Sequence, residues 1–536
     1  MNATLDLKRR RFLHQTARLS AFAALSSSTL SSFAADKISG YPFNLGVASG
    51  SPRSDSVVLW TRLLPDPLNA VALAPIAYKV RWEISEDESF HHVIGRGEHT
   101  ALPELAHSVH VDIVGLQPER NYWYRFMLGD AVSPVGRTRT APIAEAMPSS
   151  LRLAVASCQH WEFGEYAGHK HIAAAYPDLV IFLGDYIYEW GPYDLTHPLK
   201  PRRRDIESMT LSGYRNRYAQ YKTDPHLQAA HQVAPWIVTW DDHEVSNDYG
   251  NDRDERLSPD FLLRRAAAYQ AFYEHMPVRL PNLNSLLSEA GRFAAMRIYE
   301  RYDWGKLARF HVLDDRQYRS HHACPKPGMG GSNVVSNAEC KELLDPNRSL
   351  LGADQEKWLA QGFATSAVKW NVLTQQTLMA QSSQIPVTKE GDGKFWTDGW
   401  DGYPVARQRL FSDLQRYQIA NPVVISGDVH TFYAANLKRD FYSKASASNP
   451  ILATEFCGTS ITSSSRPQER TDQLVAQNPH IKFGRSDKRG YMLLELTPKQ
   501  MTTHFMALDD VSQVDSGITK LASFVVEDGR TGVVAS

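Results

Sequence analysis

The stretch "DLVIFLGDYIYEWG", Asp178 to Gly191, opens as an apolar run and then breaks into Gly184, Asp185 and two tyrosines before a Trp-Gly turn. The run from Val180 to Leu183 suits a strand buried on both faces. A carboxylate at its end and a phenol three residues later, Tyr188, are groups that cost free energy to bury unless something compensates them. What compensates them is the question that organises the rest of the chain.

The arrangement recurs. "LRLAVASC" ends on Cys158, "WIVTWDDHE" runs into Asp241, Asp242 and His243, and "PVVISGDVH" ends on Asp428 and His430. With "KWNVLTQQ" these are strand candidates, separated by helical patterns such as "FLLRRAAAYQAFYEHM" and "LGADQEKWLAQGF", so residues 146–536 read as an α/β layered domain. Singly, each feature has an ordinary explanation. An Asp after a strand often caps the next helix, "DDHE" reads equally as a solvated loop, Cys158 as a small buried hydrophobe and Tyr188 as a packed aromatic. Together they place acid, imidazole, phenol and thiol at carboxyl ends of strands, where α/β sheets bind ligands, and such a cluster at one sheet edge suits metal ions.

Upstream, residues 41–142 read as all-β. "AYKVRWEIS" alternates, with Tyr78, Val80, Trp82 and Ile84 on one face, and "HSVHVDIVGLQPERNYWYRFMLG" holds a strand, a turn and another strand. Leu116, Pro118 and Tyr122 have the spacing of the tyrosine corner of fibronectin-type sandwiches. The predicted architecture is a fibronectin-like β-sandwich followed by an α/β layered sandwich, with the boundary near residue 145.

The first 35 residues have a different character. Arg9 and Arg10 are followed by Phe12-Leu13 and a mildly apolar, Ser-rich and Ala-rich stretch ending in small residues near Ala34. This looks like a twin-arginine export signal, with the twin-arginine export machinery as partner and removal expected near Ala34 or Ala35; the other reading is an amphipathic N-terminal helix. The stretch is too polar and too short to span a membrane, so a periplasmic or extracellular product without a transmembrane segment is expected. Twin-arginine export carries folded proteins, often with metal already inserted. Cys324 and Cys340 flank a Gly, Pro, Ser and Asn rich loop, where a disulfide would suit an oxidising compartment and contribute about 3 kcal/mol.

The 536 residues carry 58 Lys and Arg against 59 Asp and Glu, a net charge of -1, which leaves no global basic field for nucleic acid or an anionic membrane. An anionic substrate has to be captured locally.

The order GDxxY, DDHE, GDxH resembles the calcineurin-like metallophosphoesterases and, within them, the alkaline phosphatase D (PhoD) family. The resemblance extends over "FNLGVASGSPRSDSVVLWTRL", "LAVASCQ", "GDYIYEWG", "WDDHEVSNDYG", "LDDRQYR", "LGADQEKWL" and "WDGYPVARQRL", nearly the whole chain. It implies a ferric ion held at the positions of Cys158, Asp185, Tyr188 and His430, and calcium beside it with Asp185 bridging. Asp428 and a ligand from the DDHE segment complete the calcium side; Asp242 aligns with the Asn of the wider superfamily's GNH motif, whereas Asn247 offers an amide oxygen. Hard anionic donors suit ferric iron and carboxylates suit calcium, while thiolate with imidazole also suits zinc, so Zn2+ or Mn2+ is the alternative set.

The expected chemistry is hydrolysis of phosphate mono- and diesters. Two cations would neutralise the nonbridging oxygens and lower the pKa of a bridging water or hold it as an oxide, with His243 contacting the phosphoryl oxygen or leaving group. Two other functions are carried alongside: a phospholipase D acting on phospholipid headgroups, and a metal-stabilised binding protein without catalysis. Arg316 and Arg319 read as phosphate ligands or as an ion pair, and Trp400, Asp401 and Tyr403 as a pocket mouth or a packed turn.

Overall fold

The computed structural model describes residues 38–67, 73–191, 206–280, 292–389 and 393–535; the segment read as an export signal lies outside them. Two large sheets face each other. The first runs in the order Arg530–Ala535, Ile518–Glu527, Gln500–Leu508, Gly490–Leu496, Leu151–Ala156, Leu179–Phe182, Trp236–Val238, Val47–Gly50, Ser56–Arg62, Ser108–Val114. The second runs Glu300–Trp304, Ala308–Val312, Trp370–Thr374, Pro422–Ser426, Ile451–Cys457, Phe432–Lys438, Ile481–Arg485.

The strand Leu179–Phe182 shows why its sequence is continuously apolar. Leu179 and Ile181 point between the sheets, into a core with Val372, Val423, Ile425 and Phe505. Val180 and Phe182 point the other way, against Ile172, Tyr214, Leu227 and Phe272 from the helices Ala167–Ala175, Leu211–Lys222, Pro225–Val233 and Phe261–His275. Helices Ala353–Ala364, Pro404–Arg416 and Gln468–Gln477 cover the far face of the second sheet through Leu359, Phe411 and Leu474. The result is a helix, sheet, sheet, helix sandwich, with every strand that was read from sequence in place.

The N-terminal region is a pair of sheets as its alternation predicts. Val93–Ala101, Tyr78–Ser85, Asn121–Leu128 and Ala131–Val132 form one, with Gly136–Arg139 also on Asn121–Leu128. Tyr78, Val80, Ile84, Tyr124 and Phe126 meet Val57, Leu59, Val109 and Val111 in its core. The facing sheet is not separate, however: Val47–Gly50, Ser56–Arg62 and Ser108–Val114 continue the first large sheet, with Gly50 in parallel register with Trp236. Gly50 permits this junction, because a Cβ there would lie 2.5 Å from Pro277 O and 2.6 Å from Trp236 O. Pairing at a sheet edge leaves no periodicity of its own, so alternation alone does not reveal it.

Cys324 and Cys340 are disulfide-bonded, with Cα atoms 6.0 Å apart, whereas Cys158 and Cys457 are buried and unpaired. The tyrosine corner is present: buried Tyr122 accepts the Gln117 N–H at 2.9 Å and donates to its carbonyl at 3.4 Å. Tyr122→Phe is therefore expected to cost about 1 kcal/mol, since it strands a backbone N–H. A urea midpoint equal to that of the parent would show the corner to be decorative.

Candidate metal centre

The strand ends that converge do so from both sheets. Cys158, Asp185, Asp241 and Asp242 follow strands of the first sheet, whereas Asp428 and His430 follow Pro422–Ser426 of the second. The single sheet edge expected from the sequence is instead a seam between two.

The backbone at this seam is unusual. Cys158, Asp185, Asp428 and His430 all have left-handed φ, at 60°, 56°, 63° and 52°. Each such non-glycine residue costs roughly 1–3 kcal/mol and persists only where its surroundings hold it. Gly184 has φ 101°, and a Cβ there would lie 2.5 Å from both Asp241 Cβ and Asp241 N, so the loops after Leu179–Phe182 and Trp236–Val238 approach closely only because this residue is Gly. The Cys158 N–H donates to Gly184 O at 3.1 Å and the Gln159 N–H to Asp185 O at 3.0 Å, locking one loop to the next.

Glu244 ties the third. Its buried carboxylate accepts the N–H groups of Asp185 (3.0 Å), Tyr186 and Asp241 (2.7 Å). Burial, reinforced by Asp185, pushes Glu244 up to about 8.

Donor atoms of Cys158, Asp185 and His430 lie within 4.8 Å of one another, as do those of Asp185, Asp242 and His243, and those of Asp241, Asp242 and Asp428. Asp185 belongs to the first two groups and Asp242 to the last two, so the three form one continuous array. The Tyr188 hydroxyl joins it by donating to Asp185 Oδ2 at 2.8 Å, and it lies 3.2 Å from His430 Nε2. Ser463 donates to the same phenol oxygen at 2.7 Å. His430 Nδ1 donates to Ser464 O at 2.6 Å, which fixes the ring and presents Nε2 to the array, the usual support of a metal-binding imidazole.

His243 Nδ1 lies 2.8 Å from Glu189 Oε2, and its ring rests on Tyr188 with centroids 4.2 Å apart. Asn247 is held by other acids: its N–H donates to Glu189 Oε1 at 2.7 Å and its amide to Glu255 Oε2 at 3.0 Å.

The electrostatics are those of crowded anions. Burial raises Asp241 and Asp428 well above the carboxylate range and Asp242 to about 6, with neighbouring carboxylates adding to each. Burial would raise Asp185 as well, but His243 and His430 outweigh it and hold this carboxyl low. Cys158 and Tyr188 are pushed up by burial and by Asp185. Asp185 Oδ1, Asp241 Oδ2 and Asp428 Oδ2 are buried without a hydrogen-bond partner. Orphaned carboxylate oxygens beside a thiol, a phenol and an imidazole fit a cation better than any hydrogen-bond network available to them.

Arg316 is the ion-pair reading of its motif, and a fully buried one. It contacts Asp241, donates to Asp398 at 2.7 Å and Asp428 at 3.3 Å, and lies 3.6 Å from Asp242. Arg319 shares Asp398 at 2.8 Å. Trp400 and Asp401 line a cavity and also form the packed turn before Pro404–Arg416, while Tyr403 donates to Ser320 O at 2.6 Å. The sequence places Asp241 among the strand-end groups without choosing it as the ligand, and it does not single out Glu244, Glu189 or Ser463; Glu244 stands in the quoted DDHE and Glu189 in the opening stretch, but Ser463 lies in a loop without a distinguishing pattern.

A four-layer sandwich with a seam of metal-capable donors is the build of a hydrolase that works on phosphate esters, and comparison with known proteins agrees. The PhoD-like phosphatase family matches residues 153–505, and its N-terminal domain matches residues 28–142. Alkaline phosphatase D of Bacillus subtilis (strain 168) is 43% identical over 511 residues, covering 93% of this chain and 83% of that protein. A solved structure described as PhoD superposes with a TM-score of 0.85 at 43% identity, covering 93% of both chains. The chain belongs to the PhoD-like phosphatase family.

Glu244→Gln provides a test of the seam's bracing. Its NH2 group would face one of the three backbone N–H groups that the carboxylate accepts, so a loss of roughly 1–3 kcal/mol in stability is expected, together with a lower metal content. Unchanged melting and unchanged metal would remove Glu244 from that role.

Proposed function

We propose that this chain is an exported, metal-dependent phosphatase that hydrolyses phosphate mono- and diesters. The observation that carries the reading is the continuous donor array shared through Asp185 and Asp242. Cys158, Asp185, Tyr188 and His430 would hold Fe3+, and Asp185, Asp241, Asp242 and Asp428 would hold Ca2+. Asp242 is favoured over Asn247 because its carboxylate takes part in two of the donor groups. Tyr188 favours iron over the Zn2+ or Mn2+ alternative, because a phenol raised by burial ionises readily only on a strongly charged ion.

When bound, such ions neutralise phosphoryl oxygens and activate water for in-line attack. The protein's own contribution is positional. His243 is drawn well above the ordinary histidine range by Asp242, Glu189 and Asp185 despite its burial, which favours its protonated form. Glu189 holds Nδ1, which leaves Nε2 to meet the phosphoryl oxygen or the departing alcohol.

Export follows from the twin-arginine reading of residues 1–35; among the described residues no helix is long and apolar enough to cross a membrane. Chains lacking those residues are expected to stay in the cytoplasm of the producing cell.

The first measurement is metal analysis and the visible spectrum of exported protein. About one iron per chain with calcium, and a charge-transfer band lost in Tyr188→Phe, is the expected result. Colourless, active zinc or manganese protein would overturn the ion assignment, and active protein without stoichiometric metal would overturn the mechanism. His243→Ala is expected to lower kcat on an aryl phosphodiester by about 100-fold or more while metal content holds; parallel loss of both would make His243 structural. Faster cleavage of phosphatidylcholine vesicles than of aryl phosphodiesters would move the substrate to phospholipids.

A further inference from the structure

Beside the metal centre lies a cavity of about 230 Å3, and Asp428 forms part of its wall. Its other walls combine an apolar side, with Trp396, Trp400 and Leu474, and a basic one, with Arg466 and Arg470. The charges on these walls are unequally satisfied. Asp401 is committed to Arg407 at 2.7 Å and to the Ser382 N–H at 2.7 Å, and Asp428 to Arg316 at 3.3 Å. Arg407 thus neutralises Asp401 from behind, and Arg316 meets one oxygen of Asp428. Neither the Arg466 nor the Arg470 guanidinium has a hydrogen bond or ion pair among the described residues, a contrast with the paired Arg316, Arg319 and Arg407.

The loop that carries Arg466 belongs to the metal centre. Ser463 donates to the Tyr188 phenol and Ser464 O receives His430 Nδ1, so Arg466 stands two residues, roughly 7 Å of extended chain, beyond a group that orients a metal ligand. Arg466 lines the cavity together with Tyr433. Arg470 follows in the first turn of Gln468–Gln477, whose N-terminus adds its own partial positive charge on the same side.

We propose that Arg466 and Arg470 bind a second anionic group, phosphate or carboxylate, carried on the alcohol arm of the ester while its phosphoryl group lies at the metal centre. The proposal rests on the phosphatase reading and names the substrate class within it. The reacting phosphoryl group is served by the metal array and His243; two further guanidinium groups across an apolar floor match an anion separated from it by a short carbon skeleton. Planar guanidinium forks are the side chains best shaped for carboxylate and phosphate oxygens.

The test compares esters that differ in this group alone: 3-phosphoglycerate against glycerol 3-phosphate for a carboxylate, and fructose 1,6-bisphosphate against fructose 6-phosphate for a phosphate. The metal-loaded chain is expected to favour the anionic member of at least one pair, and the responding pair identifies the group. Arg466→Gln should lower that ratio of kcat/KM about 10-fold or more, the worth of a charge-assisted hydrogen bond, mainly through KM. Arg470→Gln, more exposed, should lower it less, and Arg466→Lys should restore part of the preference. No preference in the parent, or equal losses on both members of a pair, would overturn the proposal, the latter because the arginines would then act on the reacting phosphate. Should the chain hydrolyse none of the four, nor an aryl phosphodiester, the phosphatase reading fails first. Calorimetric binding of the same pairs then decides the proposal: a preference abolished by Arg466→Gln sustains it, and equal affinities end it.

Discussion

Asp185, Asp241 and Asp242 are buried with Asp428 half-buried beside them, and their mutual repulsion is the constraint around which the rest of the molecule is arranged. Two like unit charges 4 Å apart cost about 4 kcal/mol at the effective dielectric near a protein surface, and more where water is further excluded. Arg316 and His243 offset part of this, which is visible in the directions their neighbours are driven. Arg316 is anchored from the other side by Asp398, itself held by Arg319 and by His322 at 2.7 Å. Part of its charge is therefore spent on Asp398, and an excess of negative charge remains on the array. Cations that bind it relieve the folded state and have far less to relieve in the unfolded chain, so metal loading and stability are one equilibrium.

The scaffold's answer is to make the seam stiff before any ion arrives. Left-handed backbone at four donor residues, the Gly184 contact with Asp241 and the three N–H groups on Glu244 would each be unfavourable or fragile alone. They endure because apolar strands buried on both faces anchor the loops a few residues away. Leu179–Phe182 and Pro422–Ser426 have every residue buried, so movement of a strand end would open core contacts on two sides. The same rigidity positions His430 through Ser464 and Tyr188 through Ser463, and so the loop after Ile451–Cys457 serves two donors on the same side of Asp185.

How much of this is legible in the sequence depends on whether a feature is local. Strands such as "VIFL" announce themselves because burial on two faces demands an unbroken apolar run, and Tyr122 does so because its hydroxyl meets a backbone group only five residues away. Donors at strand ends are legible for the same reason: Cys158, Asp185, Tyr188, Asp242, Asp428 and His430 each follow an apolar run directly. Relations between distant segments are not written this way. The strand order that makes a seam out of two sheets, the continuation of the first sheet past Trp236 into Val47–Gly50, and the place of Ser463 at the array all depend on registers fixed only in three dimensions. Arg316 is intermediate: its motif marks it, but whether its charge meets a substrate or a carboxylate is decided by Asp241, some 75 residues earlier.

The donors are also distributed unevenly, and this has a chemical consequence. Thiol, phenol and imidazole gather on one side of Asp185, while Asp241, Asp242 and Asp428 gather on the other with Arg316 behind them. A set of thiol, phenol and imidazole beside a purely carboxylate set offers two different environments to a cation. Arg316 sharpens the difference by withdrawing negative charge from the carboxylate side alone. Asp185 is thus the carboxylate shared between two chemically different donor sets.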